Sequence, residues 1–257
     1  MTTRRLLLTG AALGAALGGA AFVRRRIRPV SPPELLPPGA VRALYDRLAP
    51  LYDVVAAAYD LVGAGRFHRQ AVDALGLRPG DTAVDLACGT GANFPHLVRA
   101  VGPTGRVVGV DLSPGMIEKA RERVGRHGWT NVELVEADVR DYAFPEPLYG
   151  IVSTFGLEMV PEHDDVIHRA VEALAPGGHV AVGGLRRPEG WPEWLIRLGE
   201  WVNRPFGVSR AYEDVQPWRS ITTYTTDTDY EEYLLGAVYL AVGEAPLGSP
   251  LTPLCDA

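Results

Sequence analysis

The stretch VDLACGTGANF, Val84–Phe94, decides the fold. Thr82–Leu86 is a short, mostly apolar run with the length and composition of a buried strand. Gly89 and Gly91 follow it, and without a Cβ they let the chain turn tightly and let backbone approach a ligand. Ala92–Val101 then reads as a helix, whose first N–H groups face back over the loop. Strand, glycine loop and helix in that order make a ligand cradle. Asp85 stands at the strand end, where a carboxylate suits a cationic group.

A dinucleotide-binding loop competes for this reading. Such a loop also expects an acid about 20 residues onward, and Asp111 stands there, so the acid does not discriminate. The glycines do. A G-x-G-x-x-G pattern starting at Gly89 needs glycine at position 94, where the chain has Phe94. A pyrophosphate also has little use for Asp85, whereas a ligand carrying an ammonium and a sulfonium does.

Working outward, strands and helices alternate. Arg106–Val110, Val132–Val135, Gly150–Thr154 and His179–Val182 read as strands. Ser113 with Pro114 after it marks the start of a helix running to about Arg126, and Val166–Leu174 reads as another. APGG (175–178) reads as the turn behind it. Ahead of the loop, Val41–Val62 reads as helical with a break near Pro50, and Phe67–Leu77 as a short amphipathic helix. Repeated βα units predict an α/β domain, a parallel sheet with helices on both faces.

Several segments together resemble the class I S-adenosylmethionine-dependent methyltransferases, in particular the ubiquinone/menaquinone C-methyltransferases and the bacterial phosphatidylethanolamine N-methyltransferases. They are YDRLAPLYD (45–53), VDLACGTG (84–91), VVGVDLSPGMIEKARERV (107–124), NVELVEADV (131–139), FGLEMV (155–160) and LAPGG (174–178). The resemblance spans about Tyr45 to Leu185. It implies a Rossmann-like fold: a mostly parallel seven-stranded sheet closed by a C-terminal antiparallel hairpin, which YEEYLLG and AVYLAVG (230–243) would supply.

The resemblance also implies roles, with S-adenosyl-L-methionine as cofactor. Asp85 and Gly89 would hold its methionine end, and Ala87 and Gly91 would also bind the cofactor. Asp111 would take both ribose hydroxyls, and Leu112 and Met116 would flank the adenine. Asp138 would accept from the adenine amino group, with the Val139 backbone completing that edge. Phe155 would border the transferring methyl, and Tyr45 and Tyr52 would sit in a lid. The competing readings are a helix cap for Asp111, a surface turn for Asp138 and ordinary core aromatics for the tyrosines. Glu158, His163 and Asp164 follow the strand that should face the methyl, where each suits proton acceptance or amine orientation. Against this, EHDD (162–165) also suits the positive end of a helix. We take Glu158 and Phe155 as the catalytic candidates. No histidine pair has metal-ligand spacing; His163 and His168 are five apart.

Bulk composition agrees with a folded domain: 257 residues, 47% hydrophobic, 22% charged. The two cysteines, Cys88 and Cys255, form no metal knuckle or disulfide framework. The net charge of −6 hides an asymmetry. Residues 1–30 carry Arg4, Arg5, Arg24, Arg25, Arg26 and Arg28 and no acid, so the remaining body carries about −12. An acidic body is a poor match for nucleic acid. The uncharged run Leu6–Val23 admits three readings: a membrane anchor, a twin-arginine export signal on TTRRLLL (2–8), or a dispensable extension. The arginine bias after the run favours an anchor with the body on the cytoplasmic side. The expected organisation is a leader (1–30), a proline-rich linker (31–40), a methyltransferase domain (41–245) and a loose tail (246–257). Within that domain, 41–80 form lid helices, 81–185 the cofactor core and 186–245 the substrate cap and last strands.

The acceptor is less legible. Trp194, Leu195, Leu198, Trp201 and Val202 fall on one helix face after the fifth strand, which suits a packed cap, a hydrophobic substrate mouth or a lipid contact. A small hydrophobic or lipid-like acceptor follows, with N-methylation of an amine headgroup or C-methylation of an isoprenoid quinone as the two chemistries. The chain departs from the quinone pattern in three places. YDVVAAAYD (52–60) lacks that family's polar stretch, Glu158 and Met159 stand where it usually has Arg and Asn, and GGHVAVGGL (177–185) lacks its usual acid. A membrane-tethered scaffold that binds the cofactor without turnover is the reading from another class.

Overall fold

A computed structural model describes residues 35–60, 64–207 and 215–247, so the leader lies outside the described residues. Two helices, α1 (Pro38–Asp60) and α2 (Ala64–Asp73), precede the sheet. Then come β1 (Thr82–Leu86), α3 (Phe94–Val101), β2 (Arg106–Asp111), α4 (Pro114–His127), β3 (Val132–Glu136) and β4 (Leu148–Thr154). A single 3₁₀ turn (Leu157–Met159) leads to α5 (His163–Ala173) and β5 (Leu174–Leu185). The chain closes with α6 (Glu193–Asn203), α7 (Pro217–Tyr224), β6 (Thr226–Tyr233) and β7 (Val238–Glu244).

The seven strands form one sheet in the order β3-β2-β1-β4-β5-β7-β6. β1 to β5 run parallel; β7 lies antiparallel to β5, and β6 antiparallel to β7. This is the expected mostly parallel sheet with its antiparallel hairpin. The strand order reverses between β1 and β4, so a crevice opens beyond their C-terminal ends, where open α/β sheets bind ligands. Alternate residues explain the two-sided core. Val84 and Leu86 of β1 join Val108 and Val110 of β2 in one apolar cluster, while Ala83 and Val107 point the other way into a second. Edge strand β6, TDTDYEEY, is polar and largely exposed, which blunts the open edge.

Three local expectations change. α1 is one helix with Pro50 inside, not broken there, and it starts at Pro38, within the stretch expected to be linker. A proline inside a helix forgoes one backbone bond. Here Pro50 faces outward while Leu44, Leu48 and Ala49 bury against Met116, and that apolar face holds the helix together. APGG does not end the ladder. Leu174 already pairs with Leu148, and the register shifts before His179 pairs with Gly150, so residues 175–178 are an irregularity inside β5. Past β7, Ala245 is buried and its N–H donates to the Gly178 carbonyl at 2.8 Å. The α6 face also divides. Val202 is buried and Leu195 and Leu198 are half-buried, but Trp194 and Trp201 stay exposed.

Candidate cofactor and acceptor site

The loop after β1 is built as its sequence requires. Gly89 and Gly91 have φ of 55° and 80°, in the left-handed region. A Cβ on Gly91 would meet the Phe94 ring at 2.4 Å. Phe94 is fully buried beneath the loop, and its ring also fills the space above Gly109. The residue that breaks the dinucleotide pattern is therefore a core side chain that shapes the loop.

Asp111, at the end of β2, braces this loop. Its Oδ2 accepts from the Gly89 N–H at 2.8 Å and its Oδ1 from the Ser113 N–H at 2.9 Å. Burial pushes its pKa up, and these bonds pull against that rise. Each carboxylate oxygen can accept more than one bond, so the diol role stays open to it. Ser113, not Asp111, caps α4, accepting from the Met116 N–H at 3.1 Å.

One residue here escaped the sequence reading. Asp46 Oδ1 accepts from the Ser113 hydroxyl at 2.6 Å and from the Gly115 N–H at 3.1 Å, docking α1 onto the start of α4. The only signal was its place in YDRLAPLYD. Tyr45 and Tyr52, on the same helix, pack with Leu44 and Leu48 around buried Met116. The Tyr52 ring meets Phe206 edge-on at 6.4 Å, and the Tyr45 hydroxyl donates to the Phe206 carbonyl at 3.4 Å. The pair thus spans from Met116 to Phe206. Leu112, between Asp111 and Ser113, is half-buried.

Asp138 is already clamped. Arg140 donates to it through its backbone N–H and Nε, each at 3.0 Å, and through Nη2 at 2.8 Å, holding its carboxyl below the usual range. Val139 is buried, and its carbonyl accepts from Arg169 Nη2 at 3.1 Å. Asp138 and Val139 come to the site through β3, whose end is tied to β2 by the Ala137 N–H on the Asp111 carbonyl at 3.0 Å.

At the ends of β1 and β4 the geometry tightens. Ala87 and Phe155 both hold positive φ, 53° and 58°, which non-glycine residues adopt at a cost. They lie in one layer: a Cβ on Gly156 would sit 2.4 Å from that of Ala87. Asp85 is fully buried. Its Oδ1 accepts from Asn93 Nδ2 at 3.0 Å, its Oδ2 has no partner among the described residues, and burial pushes its pKa up to about 8. Asn93 stands at the cap position of α3 yet makes no cap bond. Its amide turns inward instead, to Asp85, Thr154 Oγ1 (3.0 Å) and His68 Nδ1 (2.9 Å). Asn93, Thr154 and His68 were not singled out from sequence; an asparagine before a helix reads as a cap, and a lone histidine carries no pattern.

Glu158 is buried in the 3₁₀ turn after β4. Its carboxyl fills the place a side chain would take on β5: a Cβ on Gly184 would lie 1.1 Å from Oε1. Oε1 and the fully buried Tyr239 hydroxyl make no bond of good geometry among the described residues, though the carboxyl and the hydroxyl lie near enough to interact with each other. Burial pushes the Glu158 pKa up to about 7. His163 and Asp164 are not brought in here. His163 Nδ1 lies 3.2 Å from the Val160 carbonyl, and Asp164 accepts from Ser220 at 2.6 Å and Tyr224 at 2.7 Å, pinning α7 to α5.

The residues present fit S-adenosylmethionine. The partnerless, buried Asp85 oxygen is what an ammonium would satisfy, the glycine loop leaves room for the methionine end, and Asp111 faces the loop with acceptor capacity to spare.

The comparisons with known proteins agree. Residues 83–178 match a family model described as a methyltransferase domain. A 2-phytyl-1,4-naphtoquinone methyltransferase of Thermosynechococcus vestitus is 32% identical over 195 residues, covering 72% of this chain and 84% of that one. A demethylmenaquinone methyltransferase of Listeria welshimeri is 27% identical over 154 residues; the match takes in 58% of this chain and 65% of that protein's length. Among solved structures, a Haemonchus contortus phosphoethanolamine N-methyltransferase bound to phosphomonomethylethanolamine and S-adenosylhomocysteine has a TM-score of 0.61 at 17% identity, over 80% of this chain and 60% of that one. That likeness carries the fold alone. With loop, acids and relatives in agreement, the chain belongs to the class I S-adenosylmethionine-dependent methyltransferases.

Proposed function

We propose that this methyltransferase methylates an amine nitrogen on a hydrophobic, lipid-like acceptor. The observation that carries the reading is the buried Glu158 carboxyl lodged against Gly184, in the turn that follows β4 and Phe155. N-methylation builds positive charge on the acceptor nitrogen, and a nearby carboxylate stabilises that charge. C-methylation of a quinol ring starts from a ring activated by loss of a phenolic proton, and the same carboxylate, when ionised, opposes that negative charge. Two of the three departures from the quinone pattern meet in space: Glu158 lies against Gly184, within the segment 177–185 that lacks the family's usual acid.

In this reading the cofactor supplies an electrophilic methyl on sulfur, and the protein aligns acceptor and methyl and excludes water. Asp85, with Ala87, Gly89 and Gly91, holds the methionine end. Asp111 holds the ribose, Leu112 and Met116 flank the adenine, and Asp138 and Val139 meet its edge. Tyr45 and Tyr52 close over it. Exposed Trp194 and Trp201 suit a membrane surface. Residues 1–30 hold the body on the cytoplasmic side of that membrane. No helix among the described residues is long and apolar enough to cross a bilayer.

Quinone C-methylation is the second reading, favoured by the names of the relatives at 27–33% identity. Full-length protein, labelled S-adenosylmethionine and two acceptors decide between them: phosphatidylethanolamine vesicles and a demethylmenaquinone-containing extract. Label in the headgroup is expected; label in quinone alone overturns the amine. Fractionation with and without residues 1–30 tests the anchor, which a wholly soluble full-length protein would sink.

A further inference from the structure

The segment after β3 takes its shape from α5. It begins with a tight turn, closed by the Asp141 N–H on the Asp138 carbonyl at 3.0 Å. Three carbonyls of the segment converge on one side chain. Arg169, half-buried on α5, donates through Nη1 to the Tyr142 carbonyl at 3.1 Å. Its Nη2 donates to the Val139 carbonyl at 3.1 Å and to the Arg140 carbonyl. A trans peptide carries its C=O and its N–H in opposite directions. Holding the Val139 carbonyl therefore aims the Arg140 N–H the other way, onto Asp138 Oδ1 at 3.0 Å. Arg140 completes the grip with Nε on Oδ1 and Nη2 on Oδ2, and its Nη1 reaches Glu162, the residue ahead of α5, at 3.3 Å. Glu162 and Arg169 stand seven residues apart, about two helical turns, so one side of α5 holds both the clamp and the turn.

This grip leaves Asp138 little freedom. Each carboxylate oxygen offers about two lone-pair sites. Oδ1 accepts two donors and Oδ2 one, so a single acceptor site, on Oδ2, is left open among the described residues. The carboxyl cannot rotate without breaking those bonds. On the reading in which Asp138 and Val139 meet the adenine edge, we propose that Arg169 is a positioning residue for base recognition. It fixes Asp138 and the turn so that the open acceptor site selects a base with an exocyclic amino group and rejects one with a carbonyl there. A rigid edge cannot follow a base whose donors and acceptors are exchanged. A loosened turn can shift to take the ring N–H of such a base instead.

Calorimetry on the full chain with two probes tests this. One is S-adenosylhomocysteine. The other is S-inosylhomocysteine, whose ring carries a carbonyl in place of the amino group and an N–H beside it. The wild type should prefer the adenosyl probe by about 100-fold or more. Arg169→Ala should cut that preference by about 10-fold or more, chiefly by weakening the adenosyl probe. Arg169→Lys, which keeps the charge but not the planar fork, should fall between, and it carries the test if Arg169→Ala does not fold. A wild type without preference overturns the proposal, as does a wild-type preference in the Arg169 variants. Equal loss of affinity for both probes also overturns it, since a merely structural role weakens both alike. Asp138→Ala separates the proposal from the reading beneath it. Lost preference there, with none lost in the Arg169 variants, strikes Arg169 alone. Preference kept there removes Asp138 from the adenine edge, and the role of Arg169 goes with it.

Discussion

The two sides of the crevice handle buried carboxyls differently. On the β2 side, Asp111 is held by two backbone N–H groups and Asp138 by a three-point clamp from Arg140. On the β4–β5 side, the Glu158 carboxyl and the Tyr239 hydroxyl have only a loose interaction with each other and no bond of good geometry. Asp85, between the sides, has one oxygen held and one not. A buried polar atom without a bond is destabilising, and it persists where a ligand completes it. The contrast separates a half built to keep its shape before the cofactor arrives from a half that waits for one.

The largest effect expected from this contrast is on Asp85. Its folded pKa is about 8 against an ordinary 3.8, so the folded state keeps a proton that the unfolded chain gives up. Stability is therefore fullest below pH 4 and falls as pH rises through about 8. Asp85→Asn cannot ionise. Without cofactor it should gain on the order of 5 kcal/mol on the wild type between pH 4 and pH 9, read by urea unfolding. The same variant should bind S-adenosylmethionine weakly, having lost the carboxylate for the ammonium. A constant stability gap across pH would show that Asp85 is ionised and satisfied, and the contrast would go.

Next is Asp111→Ala. It removes charged bonds to a diol and frees the Gly89 and Ser113 N–H groups. S-adenosylhomocysteine affinity should fall by on the order of 2 kcal/mol or more by calorimetry on folded protein. Unchanged affinity would remove Asp111 from the site.

Gly184→Ala probes the other side. Its Cβ would stand where the Glu158 carboxyl now lies, so that carboxyl must leave. Overpacking of this kind costs about 1–3 kcal/mol, and Glu158→Ala in the same chain should recover most of it. Turnover should drop in both while cofactor affinity holds. Wild-type turnover in Gly184→Ala would place Glu158 outside the acceptor site.

The same contrast explains what the sequence made legible. Asp85, Gly89, Gly91 and Asp111 lie in short, contiguous motifs whose strand-loop-helix spacing has a physical reason, so fold and cofactor class could be read directly. Asp138 could be placed, but not its clamp, because an Arg two residues away reads like any surface charge. On the β4–β5 side, His68, Asn93 and Thr154 form one cluster and Glu158, Gly184 and Tyr239 another, drawn from five elements and one loop. Only the sheet order brings them together. Gly184 shows the difficulty well: in sequence it is a small residue in an apolar strand, and only in space is it the room for an acid.

The smallest stability effect, and the test of what the acceptor side faces, belongs to α6. Trp194 is 67% and Trp201 42% exposed, seven residues apart on the helix, while Val202 is buried. Trp194 lies mostly in water, so Trp194→Ala alone should shift stability by less than about 0.5 kcal/mol, whereas Trp201 has more than half of its surface covered and Trp201→Ala gives up packing as well. If the face meets lipid, those rings enter the interface only on the membrane, and the energy appears there instead. Binding to anionic vesicles should weaken and turnover on vesicle-borne acceptor should fall. Turnover on a short-chain, water-soluble analogue should not change, because the site itself is intact. A large loss of thermal stability with normal vesicle binding would instead make the tryptophans part of a packed cap, and the acceptor side would then wait for a ligand delivered through water.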